Sequence, residues 1–194
     1  MNAKFIVIGG VLKDSRSDVL KYLPRATGKN GIVITREPGG TPFAEKVRTL
    51  LWEDSATSIR EIERHLIKAM RIDHEAQVIG PALARGDHVI CDSLDYTPLA
   101  DRPIPVHEPS VLHTAFDRLQ LLGKPTLFIV LTHKDASERL ATIFRSVAIT
   151  VDESYVSGRN TEVVYIDTTD PEQAAQEIRD VIACHIETET AVPG

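Results

Sequence analysis

Nowhere does the sequence hold about 18 uninterrupted apolar residues, the length a membrane-crossing helix needs, so no membrane partner is expected. Cysteine is scarce. Cys91 sits in an apolar run and Cys184 in a predicted helix, and neither has the paired spacing of a zinc or redox motif. No charged leader with a cleavage site precedes the strand-like residues from Phe5, and a cytoplasmic setting is the expectation. An excess of positive charge is also lacking. The net charge of −6 argues against a protein that coats nucleic acid, because such binding rests on Lys and Arg neutralising phosphates, although a small phosphate pocket needs only a few cations and backbone N–H groups. There is no GxSxG elbow and no HExxH, which weighs against a hydrolase triad and a zinc protease. The seven histidines read as surface or satisfied core residues.

What is present alternates. "FIVIGG" (5–10), "GIVIT" (31–35), "DHVICD" (87–92), "PTLFIVLT" (125–132) and "TEVVYID" (161–167) are short Val- and Ile-rich runs bounded by Gly, Pro or charge, as buried parallel strands are. Amphipathic stretches lie between them. In "FAEKVRTLLWE" (43–53), Phe43, Val47, Leu50 and Leu51 share a face at helical spacing, and the pattern of 59–86 predicts one long helix stopped by Gly86. Further helices are expected over 109–123, over 135–145 behind an Asp cap, and over 170–186 with Asp170 as cap and Pro171 in the first helical position. Strands alternating with helices predict a three-layer α/β fold with a five-stranded parallel sheet. At 194 residues one domain, 1–194, is expected, ending in a frayed tail over 187–194.

Two stretches carry the chemistry. "FIVIGGVLKDSRSD" runs from a strand through two glycines toward a helix, the layout of a phosphate-binding loop, GxxxxGK[ST]. Gly10 matches the first glycine, Ser15 stands at the second, Arg16 at the lysine, and Ser17 keeps the hydroxyl. The plain alternative is a polar strand-to-helix turn capped by Asp14 or Ser15. The second stretch, "VITREPGGTPFAEKVRTLL" (33–51), ends a strand at Thr35, turns through Pro-Gly-Gly and caps a helix with Thr41.

This second stretch resembles the thymidylate kinase family, in which Arg-Glu-Pro-Gly-Gly-Thr follows the second strand. "IGPALARGDHVICD" (79–92), "KPTLFIVL" with "DASERL", and "VVYIDTTDPEQAAQEI" are similar to later parts of that family in order and spacing. The resemblance implies a P-loop kinase-like fold, a cis peptide before Pro38, a short lid near 145–160, and a homodimer packed through helices near 43–86. It also implies transfer of the terminal phosphate of ATP, with Mg²⁺, to a pyrimidine nucleoside monophosphate. Carried over by position, Gly10, Ser15, Arg16 and Ser17 would meet the donor phosphates, Ser17 and Asp92 the metal, and Arg36, Glu37, Ile67 and Arg71 the acceptor. Arg16, Asp92 and Arg145 would act on the transferred group. Several positions depart from the family pattern: Leu12 stands for an aspartate, Ile67 for a base-stacking phenylalanine, Ser93 for a clamping arginine, and Asp101 for a tyrosine. Losing one preorganised charge contact costs on the order of 10²–10³ in rate, so these departures keep open a second expectation, a kinase scaffold that binds a nucleotide or a protein partner without catalysis.

Overall fold

The structure is a computed structural model that describes residues 3–10, 31–52, 60–92, 125–135 and 161–187. Five parallel strands, β1 (Phe5–Gly10), β2 (Ile32–Arg36), β3 (His88–Asp92), β4 (Leu127–Thr132) and β5 (Glu162–Asp167), form one sheet in the order β2-β3-β1-β4-β5. Each lies within two residues of its sequence expectation. The three inner strands are buried on both sides. Ile6, Ile8, Ile90, Leu127, Ile129, Leu131 and Ile166 pack on one face against Ala174, Ile178 and Ile182 of the last helix, α4 (Pro171–Glu187). The alternate set, Phe5, Val7, Val89, Cys91, Phe128 and Val130, is equally buried, which requires a covered second face. The edge strands differ, and Ile34 of β2 and Tyr165 of β5 are exposed.

Helix α1 (Pro42–Trp52) begins where the sequence places it, because the Thr41 hydroxyl accepts the Ala44 N–H at 3.0 Å. Its buried face is the predicted one only at Val47 and Leu51. Phe43 and Leu50 are exposed, and Ala44 and Val47, with Leu51 beside them, pack on Met70 and Leu66 of helix α2 (Arg60–His74).

The single helix expected over 59–86 is interrupted. After α2 the chain widens into a π turn (Glu75–Ile79), in which the Gly80 N–H donates to the Glu75 carbonyl, before α3 (Gly80–Ala84). The physical reason is Pro81, which has no N–H to give and whose ring crowds the carbonyl four residues back. Gly86 does stop the helix. At φ +87° it lets its own N–H reach the Leu83 carbonyl at 3.0 Å while the Asp87 N–H reaches Ala82 at 3.0 Å, a paired closure open to a left-handed residue.

At the other end of the chain, Asp170 caps α4 through the Glu172 and Gln173 amides at 3.0 and 3.1 Å. Glu187, placed in the tail by the sequence, is the last residue of that helix. The expected helix 109–123, residues 136–145 of the next, the lid and tail residues 188–194 lie outside the described residues.

Candidate active site

Register brings the site together. Arg36 pairs with Asp92 across β2 and β3, Ile8 pairs with Asp92 across β1 and β3, and β1 continues to Gly9 and Gly10 beyond that level. The Glu37 N–H extends the ladder by donating to the Asp92 carbonyl at 2.7 Å. Thus the carboxyl ends of three adjacent parallel strands share one edge of the sheet, the place where ligands bind in open α/β proteins. An open cavity of about 370 Å³ lies there, lined by Ile34, Thr35, Arg36, Gly40 and Asp92.

Strand alternation sends Arg36 and Glu37 opposite ways. Arg36 stays at the surface and makes a two-pronged pair with Glu45 of α1, Nε to Oε1 at 3.0 Å and Nη2 to Oε2 at 2.6 Å. The Glu45 bond and charge, with a smaller contribution from Asp92, hold the guanidinium pKa above its ordinary value, and the same bond holds the Glu45 carboxyl below its own.

Glu37 turns inward, and its carboxylate is almost fully buried. It accepts from Arg71 Nε at 2.9 Å and from His74 Nδ1 at 3.0 Å, both on α2. An ionised carboxylate only accepts, so Nδ1 carries the ring proton and leaves Nε2 to partner Thr35 Oγ1 at 2.6 Å. One buried chain of polar groups therefore ties the end of β2 to the helix behind it.

The turn between these layers needs its glycines. Gly39 (φ +141°) and Gly40 (φ +86°) follow a cis Glu37–Pro38 peptide, as the family resemblance implied. A side chain on Gly40 would meet the His74 ring, with Cδ2 at 2.7 Å, and Thr35 Oγ1 at 2.8 Å. At Gly39 it would meet Glu45 Oε1 at 2.6 Å and Arg36 Nε at 3.3 Å. The turn is pinned on its far side by Arg48, whose Nη1 donates to the Pro38 carbonyl at 2.9 Å, and Asp73 accepts the Thr41 hydroxyl.

Of the residues expected to act, Arg36 and Asp92 share the cavity. Glu37 and Arg71 lie in the buried chain beneath it. Ile67 is buried one helical turn before Arg71, and Gly10 ends β1. Ser15, Arg16, Ser17 and Arg145 lie outside the described residues. No cluster of three or more His, Cys, Asp or Glu side chains suited to a metal occurs among the described residues. A Mg²⁺ ion working on nucleotide phosphates needs only one or two protein carboxylates, its other positions being filled by phosphate and water, and Asp92 fits that donor set. The sequence reading missed Glu45 and Thr35. Glu45 looks like any acidic residue in a first helical turn, and Thr35 like an ordinary strand end; no motif flags either.

The sheet order and the strand-end site define a P-loop kinase-like α/β protein. Within that class, residues 8–101 match the family model for thymidylate kinase. The chain is 46% identical over 86 residues to the thymidylate kinase of Wolbachia sp. subsp. Brugia malayi, covering 44% of this chain and 41% of that protein. It is 47% identical over 85 residues to that of Albidiferax ferrireducens, covering 44% and 38%. The matched region spans about two fifths of the length of these curated relatives. A crystal structure of thymidylate kinase from Ehrlichia chaffeensis superposes with a TM-score of 0.64 at 22% identity, over 94% of this chain and 99% of that one, and shows the shared fold. Over residues 8–101 the sequence is thus similar to thymidylate kinases, and nearly the whole chain shares the fold of the Ehrlichia chaffeensis structure.

Proposed function

We propose that this protein transfers the terminal phosphate of ATP to a pyrimidine deoxynucleoside monophosphate, with dTMP the first candidate. The observation that carries the reading is Arg36 and Asp92 side by side on one open cavity at the carboxyl edge of the sheet, inside the region that matches the thymidylate kinase family. Phosphoryl transfer asks a protein mainly for positioning and charge. Arg36 is the cation for the acceptor phosphate. Asp92 and, by position, Ser17 would hold Mg²⁺, which would supply charge neutralisation at the phosphates. Gly10, Ser15, Arg16 and Ser17 belong to the donor side, and Arg145 to the lid.

Glu37 holds Arg71 in place, and Ile67 and Arg71 belong to the base side of the acceptor. Exposed Phe43 and Leu50, seven residues apart on one face of α1, with Ile62 on α2, favour a second copy of the chain as partner. No helix among the described residues is long and apolar enough to cross a membrane, and the proposed reaction suits a cytoplasmic enzyme.

Ser15, Arg16 and Ser93 favour one rival, a kinase scaffold that binds nucleotide without transferring phosphate. A coupled assay over the deoxynucleoside monophosphates with ATP and Mg²⁺, run beside calorimetry with ATP, separates the two. Turnover with dTMP is the expected result. ATP binding without turnover on any acceptor would select the scaffold, and neither binding nor turnover would overturn both.

A further inference from the structure

We infer that Glu45 is a positioning residue that aims Arg36 at an anion in the cavity. This rests on the proposed role of Arg36 at the acceptor phosphate and deepens it. The guanidinium has two edges that can grip an oxyanion, a side edge made of Nε and Nη2 and a terminal edge made of Nη1 and Nη2. Glu45 occupies the side edge with both carboxylate oxygens. The terminal edge keeps its outer N–H groups, and Arg36 lines the cavity next to Asp92. An arginine left to itself spreads over many rotamers. Fixing one edge selects the rotamers that present the other, so less conformational entropy is lost when a phosphate arrives.

Stability alone does not account for the arrangement. The side chains of Arg36 and Glu45 are 55% and 37% exposed, and exposed ion pairs contribute little to folding. Yet the surroundings are fitted around this pair. Glu45 Oε1 also accepts the Gly40 N–H at 3.0 Å, which ties the arginine to the turn that bounds the cavity. Gly39 has no side chain where Glu45 Oε1 and Arg36 Nε approach it. Glu45 stands one turn into α1, near the positive end of the helix dipole, where an ionised carboxylate is favoured.

The test compares the full-length protein with Glu45→Gln, which keeps the shape and an acceptor for Gly40 but loses the charge and the second acceptor oxygen. Exchange of the Arg36 Nε–H, followed by ¹⁵N NMR without ligand, is expected to be slow in the parent and at least several-fold faster in the variant. Inorganic phosphate should shift the parent's Arg36 signal and shift the variant's only at much higher concentration. In the kinase assay, Glu45→Gln should raise KM for dTMP roughly tenfold with KM for ATP unchanged, Glu45→Asp should recover part of the loss, and adding Glu45→Gln to Arg36→Ala should cost nothing further. Equal Arg36 exchange in parent and variant, no phosphate response in the parent, or equal losses for dTMP and ATP would each overturn the inference. If no deoxynucleoside monophosphate turns over while the phosphate response depends on Glu45, the kinase reading fails and the positioning of Arg36 stands.

Discussion

Arg36 and Glu37 are neighbours in the chain, each joined to an opposite charge on a helix, and they do different work. Arg36 meets Glu45 at the cavity rim in contact with water. Glu37 meets Arg71 where both side chains are under 4% exposed. In the rim, water screens the pair and leaves its partners exchangeable, so an incoming phosphate can compete for the arginine. In the interior, removing either partner leaves a buried charge without the opposite charge that compensates it, so that pair acts as a fixed joint between β2 and α2. The same chemistry is a receptor at one depth and a fastening at the other.

The sharpest way to break this contrast is Glu37→Ala. It takes the buried counter-charge from the Arg71 guanidinium and unhooks His74, and denaturant unfolding should show a loss of about 3–5 kcal/mol. Next is Gly40→Ala, expected to cost about 1–3 kcal/mol in the same measurement, because the added methyl runs into a wholly buried His74 ring. Gly39→Ala is strained as well, at φ +141°, but its methyl meets the movable ends of Glu45 and Arg36 instead of a buried ring, so a loss of dTMP affinity should accompany the loss of stability. Glu45→Ala should have the smallest effect on folding, under about 1 kcal/mol, since its pair is exposed. A loss as large as that of Glu37→Ala would erase the distinction between rim and interior.

Acid offers a further comparison, at the opposite edge of the sheet. His88 begins β3, and its Nδ1 accepts the Lys4 N–H at 3.1 Å. Burial, and after it the Lys4 charge, holds its pKa below the usual histidine value. As pH falls below about 6.5 the unfolded chain takes up a proton that the folded chain refuses, so stability falls until the folded-state pKa is passed. Replacing His88 with Gln should flatten that part of a pH–stability curve; an unchanged slope would show that His88 is protonated in the fold at little cost.

Much of the fold was legible in local sequence. Thr41, Gly86, Asp170 and Pro171 mark helix ends because caps and stops depend on a few neighbouring residues. The π turn was missed although its cause, Pro81, was in view, since one lost backbone bond can end, kink or widen a helix and the sequence does not say which. The face of α1 was misread at Phe43 and Leu50 for another reason. Phe43 and Leu50 outweigh Ala44 in any count of hydrophobicity, but Ala44 is the residue small enough to sit against Met70 and Leu66.

By itself the sequence determined the strands, their parallel α/β arrangement, and the placing of "REPGGT" and Asp92 at strand ends, because apolar runs and turn chemistry act over short distances. Tertiary structure alone decided the division of labour at the site. Nothing in the order Arg-Glu-Pro-Gly-Gly-Thr says that the arginine will be held by Glu45 or the glutamate locked to Arg71 and His74. Those partners lie between 9 and 37 positions away along the chain, and only the packing of two helices on the end of β2 brings them within hydrogen-bond reach.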